Sequence, residues 1–310
     1  MPSENSQGCC IVIPVYRTIF TPVEKAAFRN FCQIFSSLPI RIVCPSGLTT
    51  ADGFDNEING LLSKTPDIQV IPLDPSHFSS VDQYNLLMLD SSFYAHFTVW
   101  DYILLAQLDS WVFESNLEAW AALNYSYIGA PWKSLAGLPL GPSWPLEAVG
   151  NGGLSLRKVD HFRRVLSSWR FWLWPVLSVS ELVKAHRPLA PFSSGFGFGA
   201  LLKACNRFRI IAFRAAGWRN TLAHFSQSGL HEDIIYGLLV PRVFSFWSVP
   251  LPSVAARFAL DEDVNYFYHR YLDPTLPFGC HAWEKAYLEF WCSLNTNLPG
   301  SLILSSDSER

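Results

Sequence analysis

The sequence of 310 residues contains no CxxC pair, no GxGxxG motif and only a small net charge of −3. Without a second Cys/His pair to complete four ligands, a zinc site is disfavoured. The missing GxGxxG motif disfavours a dinucleotide-binding fold, and the small net charge argues against general binding of nucleic acid. The cysteines are odd in number and mostly lie in apolar stretches, so we interpret them as reduced core thiols.

The sequence also lacks an uninterrupted apolar run of about 18 residues, the length that a spanning helix needs. Its first ten residues, MPSENSQGCC, carry neither a basic start nor an apolar signal core. We therefore expect a cytoplasmic protein. Residues 1–8 and 301–310 are expected to form disordered tails.

What the sequence does contain is an alternation of strand and helix patterns. Cys9 to Ile13 form an apolar run without polar alternation, typical of a strand that is buried on both faces. Thr21, Pro22 and Glu24 predict a helix that begins with a capping box. Further strands are predicted over residues 40–45, 67–73 and 101–109, and a helix over residues 81–97. This order predicts an α/β fold with a mostly parallel central sheet flanked by helices.

Polar residues follow two of the predicted strands. Pro14 to Arg17 come after the first strand, and Gln107 and Asp109 end the fourth. In parallel sheets, ligands bind outside the carboxyl ends of the strands. A carboxylate at such an end can help to hold Mg²⁺ or Mn²⁺ against a diphosphate, although Asp109 also has the properties of a helix cap.

Two later motifs are candidates for a binding loop and a catalytic base. The glycines of GNGG (150–153) allow a ligand to approach the backbone closely, and the following LSLRKVDHFRRVLSSW (154–169) is predicted to be a helix capped by Ser155. In HED (231–233), Glu232 and Asp233 begin an apolar helix, whose dipole keeps a carboxylate ionised as a general base. A glycine turn and simple stabilisation of a first helical turn are the alternatives.

Read in order, IPVYR, QLD, GNGG, HED and the histidine of PFGCHAW resemble the nucleotide-sugar glycosyltransferases of the GT-A fold. More closely, IVIPVYR, YNLLMLDSSFY, QLDSWVF, YIGAPW, GNGGLSLRK, HED and FGCHAW resemble the DUF5672 family, which is regarded as glycosyltransferase-like. The resemblance implies a single large GT-A-like domain over residues 9–290. It also implies transfer of a sugar from a nucleotide-sugar donor to a hydroxyl acceptor.

The resemblance further implies roles for individual residues. Asp109 matches the last carboxylate of the D-x-D motif and His281 matches a late metal ligand, so these two are expected to hold Mn²⁺ or Mg²⁺. Asp233 is the expected base of an inverting reaction, with Glu232 as its alternative. The expected donor site consists of Pro14, Tyr16, Arg17, Gln107, Asp109, Gly152 and Gly153, with Tyr16 available to stack on the base.

One position departs from the D-x-D motif, because Gln107 stands in place of the first carboxylate. The lost negative charge weakens the expectation of a metal. It leaves open a catalytically weak or inactive GT-A-like protein that binds a nucleotide or a glycan. Hydrolysis ranks third, because the adjacent Glu232 and Asp233 cannot face each other across a substrate.

Charge is unevenly distributed along the chain. Residues 51–150 contain twelve acidic residues and two lysines, whereas residues 161–220 contain ten Lys or Arg and one acid. This asymmetry suggests an anionic partner for the second stretch, such as a lipid-linked or phosphorylated glycan acceptor or an anionic membrane surface. The alternative is that folding interleaves the two stretches.

Overall fold

The computed structural model describes residues 8–48, 67–133, 147–168 and 231–294, apart from the side chains of Arg242, Val243 and Ala286. The predicted tails and most of the basic stretch, from residue 169 to residue 220, lie outside the described residues. None of the helices in the described part is long and apolar enough to cross a membrane.

The described strands are short and mostly buried. In chain order they are β1 (Cys9–Pro14), β2 (Ile40–Pro45), β3 (Ile68–Leu73), β4 (Tyr102–Ala106), β5 (Ser110–Val112), β6 (Tyr127–Ile128), β7 (Pro131–Trp132), β8 (Ala148–Val149), β9 (Leu154–Lys158), β10 (Ala259–Leu260) and β11 (Gly279–His281).

The described helices include one long amphipathic helix and several short ones. They are α1 (Pro22–Ile34), a 3₁₀ turn (Pro75–Phe78), α2 (Val81–Met88), α3 (Ser91–Ala95), α4 (Leu117–Ala122), α5 (Val159–Leu166), α6 (Glu232–Ile234) with a π-helical continuation (Ile235–Leu239), α7 (Val240–Val243), α8 (Pro252–Phe258), α9 (Val264–Tyr271), α10 (Trp283–Ala286) and α11 (Leu288–Leu294).

The central sheet has six strands in the order β3-β2-β1-β4-β9-β6. The first four run parallel to one another, and β9 pairs antiparallel with both β4 and β6. A second sheet has the order β10-β11-β5, and β7 pairs with β8. The predicted α/β class with a mostly parallel central sheet is confirmed.

Helices cover both faces of the central sheet because its inner strands are apolar on both sides. In β1, Ile11 and Ile13 belong to the core cluster that contains Phe28 of α1. Val12, which points the opposite way, belongs to the cluster that contains Phe162 of α5. Successive strand residues face opposite sides of a sheet, so one strand serves two cores. This explains why its sequence shows no polar alternation.

The predicted capping box at the start of α1 is also confirmed. The backbone N–H of Glu24 donates to the hydroxyl of Thr21 over 3.2 Å, and the N–H of Thr21 donates to the Glu24 carboxylate over 2.8 Å. These two bonds satisfy N–H groups that the first helical turn leaves without intrahelical partners.

Two local predictions are wrong. The residues after GNGG form strand β9 rather than a helix, so Ser155 lies within a strand and the helix begins only at Val159. The segment forms a strand because it pairs with both β4 and β6. No pattern within the segment itself predicts that pairing. The predicted helix over 81–97 is two helices, because the Asp90 carboxylate accepts the N–H of Ser92 and starts α3.

Candidate functional site

The central sheet gathers the candidate residues at one edge. Val12 pairs with Leu105 in parallel, so the chain segments that follow β1 and β4 leave the sheet on the same side. Strand β9 is antiparallel and begins with Leu154 opposite Ala106. The glycine loop (150–153) precedes β9 and therefore reaches that same edge. Because the sequence pattern predicts a helix after the glycine loop, it does not predict that the loop lies at this edge.

The second sheet delivers His281 to the same place. His281 pairs with Ser110, the residue after Asp109, across the antiparallel β11 and β5. Leu260 pairs with Cys280 across β10 and β11, so Asp261 follows beside His281. The backbone at Ala282 has φ 49°, in the left-handed region that non-glycine residues rarely adopt. The chain therefore makes a strained turn directly after the histidine.

An ionic cluster results around His281. Its Nε2 lies 3.1 Å from Oδ1 of Asp109 and 3.2 Å from Oε1 of Gln107, and its Nδ1 lies 3.1 Å from Oδ1 of Asp261. The other oxygen of Asp109 accepts a hydrogen bond of 2.5 Å from Nζ of Lys285. A single histidine thus contacts three side-chain oxygens, and one of its carboxylate partners also contacts a lysine.

The cluster favours charged side chains. Burial alone would lower the pKa of His281, but its hydrogen bonds to Asp109 and Asp261 raise that pKa to about 10. Burial would raise the pKa of Asp109, but His281 and Lys285 together hold it well below its ordinary value. The cluster is therefore an array of fixed charges, which suits the binding of a charged ligand.

A divalent cation fits part of this cluster. Among the described residues, no three His, Cys, Asp or Glu side chains form a ready metal site. However, Nε2 of His281 lies 3.1 and 3.2 Å from the oxygens of Asp109 and Gln107. Neighbouring ligands of an octahedral cation, with bonds of about 2.0–2.2 Å, are also about 3 Å apart. His281 would have to release the proton from Nε2 to bind a cation. Asp261 would then orient the ring from Nδ1, as carboxylates commonly do for metal-binding histidines.

Asn151 organises the glycine loop against this cluster. Its φ of 68° lies in the left-handed region, which asparagine tolerates better than most residues. Its side-chain Nδ2 donates to Oδ2 of Asp261 over 2.6 Å, and its side-chain Oδ1 accepts the N–H of Gly153 over 3.0 Å. A Cβ on Gly153 would collide with the imidazole of His281. Only glycine at 153 therefore lets the loop lie against the histidine.

A second cluster lies on the other side of the loop. Arg157 of β9 is fully buried, and its Nη2 donates to Oε1 of Glu232 over 3.0 Å. A Cβ on Gly152 would collide with that same Glu232 oxygen. The two adjacent glycines therefore face different groups, Gly152 the Arg157–Glu232 pair and Gly153 the His281 cluster.

Asp233 follows Glu232 and is a half-buried carboxylate. Its Oδ1 accepts the N–H of Ile234 over 2.7 Å. Burial, followed by the charge of Glu232, raises the pKa of Asp233 to about 7, against the opposing effect of Arg157. Asp261 also raises this pKa, so the two clusters interact electrostatically across the loop. A carboxylate that titrates near neutral pH is well suited to accept a proton.

The three predicted donor-site residues at the end of β1 and just after it differ in exposure and in their contacts. Tyr16 is 59% exposed. Arg17 instead pairs with the buried Glu24 at the start of α1, and its guanidinium lies 5.4 Å from the centre of the Tyr16 ring. Pro14 is the buried last residue of β1.

The structure brings Gln107, Asp109, Gly153 and His281 into one cluster, with Gly152, Glu232 and Asp233 on the other side of the loop. Sequence reasoning missed four residues that complete the site. Asn151 and Arg157 lie inside the motif GNGGLSLRK, whereas Asp261 and Lys285 contact the site from later parts of the chain.

The family of the chain is established by its sequence. A model described as "Protein of unknown function (DUF5672)" matches residues 67–281, which is more than half of the chain. The protein belongs to this family. The matched region includes the glycine loop, the Glu232–Asp233 pair and the ionic cluster apart from Lys285. No curated protein matches the sequence.

Several solved structures of glycosyltransferases are similar to this chain. The galactosyltransferase LgtC, solved with donor and acceptor sugar analogues, is 13% identical, with a TM-score of 0.48 over 96% of this chain and 94% of that one. Core-mannan synthase A from Aspergillus fumigatus, in an Mn/GDP form, is 9% identical, with a TM-score of 0.36 over 75% and 72% of the two chains. A glycosyltransferase involved in glycosylation of the major capsid of PBCV-1 is 11% identical, with a TM-score of 0.37 over 91% and 96%.

Proposed function

We propose that the protein is a glycosyltransferase that moves a sugar from a nucleotide-sugar donor to a hydroxyl of an acceptor. One observation carries this proposal: the Gly152–Gly153 pair lies between the ionic cluster around His281 and the Arg157–Glu232 pair, and the residue after Glu232 is Asp233, a carboxylate whose pKa is raised to about 7. Glycosyl transfer needs a leaving diphosphate that is neutralised and an acceptor hydroxyl that loses its proton. The two sides of the loop offer one group for each requirement.

The donor diphosphate would bind at the ionic cluster. Lys285 pairs with Asp109, but its side chain is 61% exposed, so its ammonium group can also contact a phosphate. Asp109 and His281, with the amide oxygen of Gln107, would hold Mn²⁺ or Mg²⁺, and such an ion neutralises the charge of the leaving diphosphate. The exposed ring of Tyr16 is available to stack on the nucleotide base.

Asp233 would act as the general base of an inverting reaction. Glu232 is a weaker candidate, because Arg157 engages its carboxylate and it is only 5% exposed. Asp233 is less buried, and its pKa of about 7 lies near neutral pH. Glu232 and Asp233 are consecutive residues, so they do not provide the facing acid and nucleophile that a retaining glycosidase requires.

A second candidate is a protein that binds a nucleotide or glycan without transferring a sugar. Two observations favour it: Gln107 replaces a carboxylate, and the ammonium group of Lys285 already contacts Asp109 where a cation would bind. In this alternative, Lys285 takes over neutralisation of the phosphate and no metal is needed. Metal dependence therefore separates the two candidates.

The acceptor would be a glycan, either free or linked to a lipid. The motivation is the basic sequence from residue 161 to residue 220, which would attract an anionic acceptor or the anionic membrane surface that presents it. Arg163 and Arg164 are exposed members of this stretch on α5.

The proposal is tested by screening nucleotide sugars by thermal shift, with and without Mn²⁺, and assaying the stabilising donors for transfer. We expect Asp109→Ala to abolish transfer and to weaken Mn²⁺-dependent binding of the nucleoside diphosphate about tenfold or more, since charge-assisted contacts contribute about 1.5–3 kcal/mol. Asp101→Ala is the matched control, because Asp101 is an exposed aspartate just before β4, at its opposite end.

We expect Asp233→Asn to lower the transfer rate about 10²–10⁴-fold while donor affinity is unchanged, because a base acts in the chemical step. Full transfer by Asp109→Ala would refute the assigned diphosphate site. Donor binding without Mn²⁺ and without transfer would favour the binding protein instead. A product that keeps the anomeric configuration of the donor would exclude inversion.

A further inference from the structure

Arg157 is the most completely engaged buried cation in the described part of the chain. Its Nε donates to the hydroxyl of Ser155 over 2.9 Å, and its Nη1 donates to the hydroxyl of Tyr94 over 2.9 Å. Its Nη2 donates to Glu232 over 3.0 Å and to the carbonyl oxygen of Gly152 over 3.4 Å. These contacts fix the guanidinium in one orientation, and the ion pair with Glu232 is almost fully shielded from solvent.

Stability alone does not account for this pair. Burying two charges removes their hydration, and replacing such a pair with apolar residues is often neutral or stabilising. The pair spans 75 positions of sequence between β9 and α6. The N–H of Glu232 also donates to the side-chain oxygen of Asn85 over 3.0 Å. Glu232 is therefore fixed through both its backbone and its carboxylate.

The residue that benefits from this fixation is the next one, Asp233. Three charged groups act on its carboxyl group from different elements: Glu232 from α6, Arg157 from β9, and Asp261 from the end of β10. Burial and then Glu232 raise the pKa of Asp233, and Arg157 lowers it. Arg157 forms an ion pair with the carboxylate of Glu232, so the group that acts on Asp233 is held in place by a contact between β9 and α6.

We infer that Arg157 and Glu232 are a positioning pair for the base: they fix the start of α6 and hold the Glu232 carboxylate beside Asp233, so that Asp233 is the group that takes up a proton. The role of this proton in sugar transfer rests on the proposed function. The assignment of Asp233 as the residue that takes up the proton does not. Arg157 and Glu232 contact no reacting atom in this scheme. They act through Asp233.

The test follows the carboxyl carbon of Asp233 by NMR in protein labelled with ¹³Cγ-aspartate, with Asp233→Asn to assign its signal. In the isosteric Glu232→Gln variant we expect the titration midpoint of Asp233 to fall by about one pH unit, because a neighbouring like charge has been removed. The Arg157→Lys variant keeps the positive charge but loses the planar guanidinium group. The titration midpoint of Asp233 in this variant should therefore stay near its value in the unmodified protein.

An unchanged midpoint in Glu232→Gln, or a midpoint in Arg157→Lys displaced as far as in Glu232→Gln, would overturn the inference. The measurement uses the free protein, so it gives an answer even if no sugar transfer is ever detected. Where transfer is detected, the acid limb of kcat/KM should move to lower pH in Glu232→Gln. A purely structural role would lower the rate without moving that limb.

Discussion

Asp233→Asn should stabilise the protein at alkaline pH while it removes the proposed base. The pKa of Asp233 is raised from 3.8 to about 7 in the folded protein. A carboxyl group with a raised pKa binds its proton more tightly when folded, so its ionisation makes the folded state less stable. The penalty is absent below pH 4, grows between about pH 4 and pH 7, and is complete above pH 7.

The size of the penalty follows from the two pKa values. At 1.36 kcal/mol per pH unit, the difference between 3.8 and about 7 corresponds to about 4 kcal/mol at pH 8. For a chain of this length, 1 kcal/mol shifts the melting temperature by about 2 °C. Asp233→Asn keeps an oxygen that can accept the N–H of Ile234, but it carries no charge. We therefore expect it to melt about 8 °C above the unmodified protein at pH 8.

The assay is thermal unfolding of both proteins from pH 4.5 to pH 8, with Asp101→Asn as an exposed control. The melting-temperature difference between Asp233→Asn and the unmodified protein should be small at pH 4.5 and should grow as the pH rises. The control should show no such growth. A melting-temperature difference that is independent of pH would refute the conclusion that the negative charge of Asp233 destabilises the folded protein at neutral pH.

Two further predictions concern the glycine loop and the basic helix α5. Gly153→Ala should abolish donor binding measured by thermal shift, because its Cβ must displace the imidazole of His281. Exposed charges are screened within about 8–10 Å at physiological salt, so binding to anionic vesicles should fall steeply as salt rises. Charge reversal at Arg163 and Arg164 should weaken vesicle binding, measured by co-sedimentation, without changing donor affinity.

Each of these predictions has its own control. Gly47→Ala is the comparison for Gly153→Ala, because a Cβ at Gly47 meets no atom within 4 Å. Neutral vesicles serve the same purpose for the basic helix. Donor binding that survives Gly153→Ala would separate the loop from the donor site. A protein that ignores anionic vesicles at low salt would show that the charge asymmetry has no partner of this kind.

The elements that the sequence predicted correctly depend on short-range physics. The capping box of Thr21 and Glu24 is local, because its two hydrogen bonds join residues three apart. The burial of β1 and β4 on both faces is visible as apolar runs, and the alternation of strands with helices restricts the sheet to a mostly parallel arrangement. Asp109 was recognised as a strand-end carboxylate for the same reason.

The site itself was decided by contacts between distant parts of the chain. Strand β9 was mistaken for a helix because its polar residues are buried by partners far away, with Arg157 facing Glu232 across 75 positions. Lys285 reaches Asp109 across 176 positions, and Asp261 meets Asn151 across 110. No sequence pattern encodes such pairs.

The amino-acid sequence by itself determined which residues could carry charge, turn sharply or begin a helix. Those properties belong to the residue and its immediate neighbours, so GNGG, QLD and HED could be recognised without a structure. Only the tertiary structure decided that Gly152 faces Glu232, that Gly153 faces His281, and that Arg157 donates its hydrogen bond to Glu232. The proton affinity of a carboxyl group depends on burial and on nearby charges, and both are properties of the folded chain.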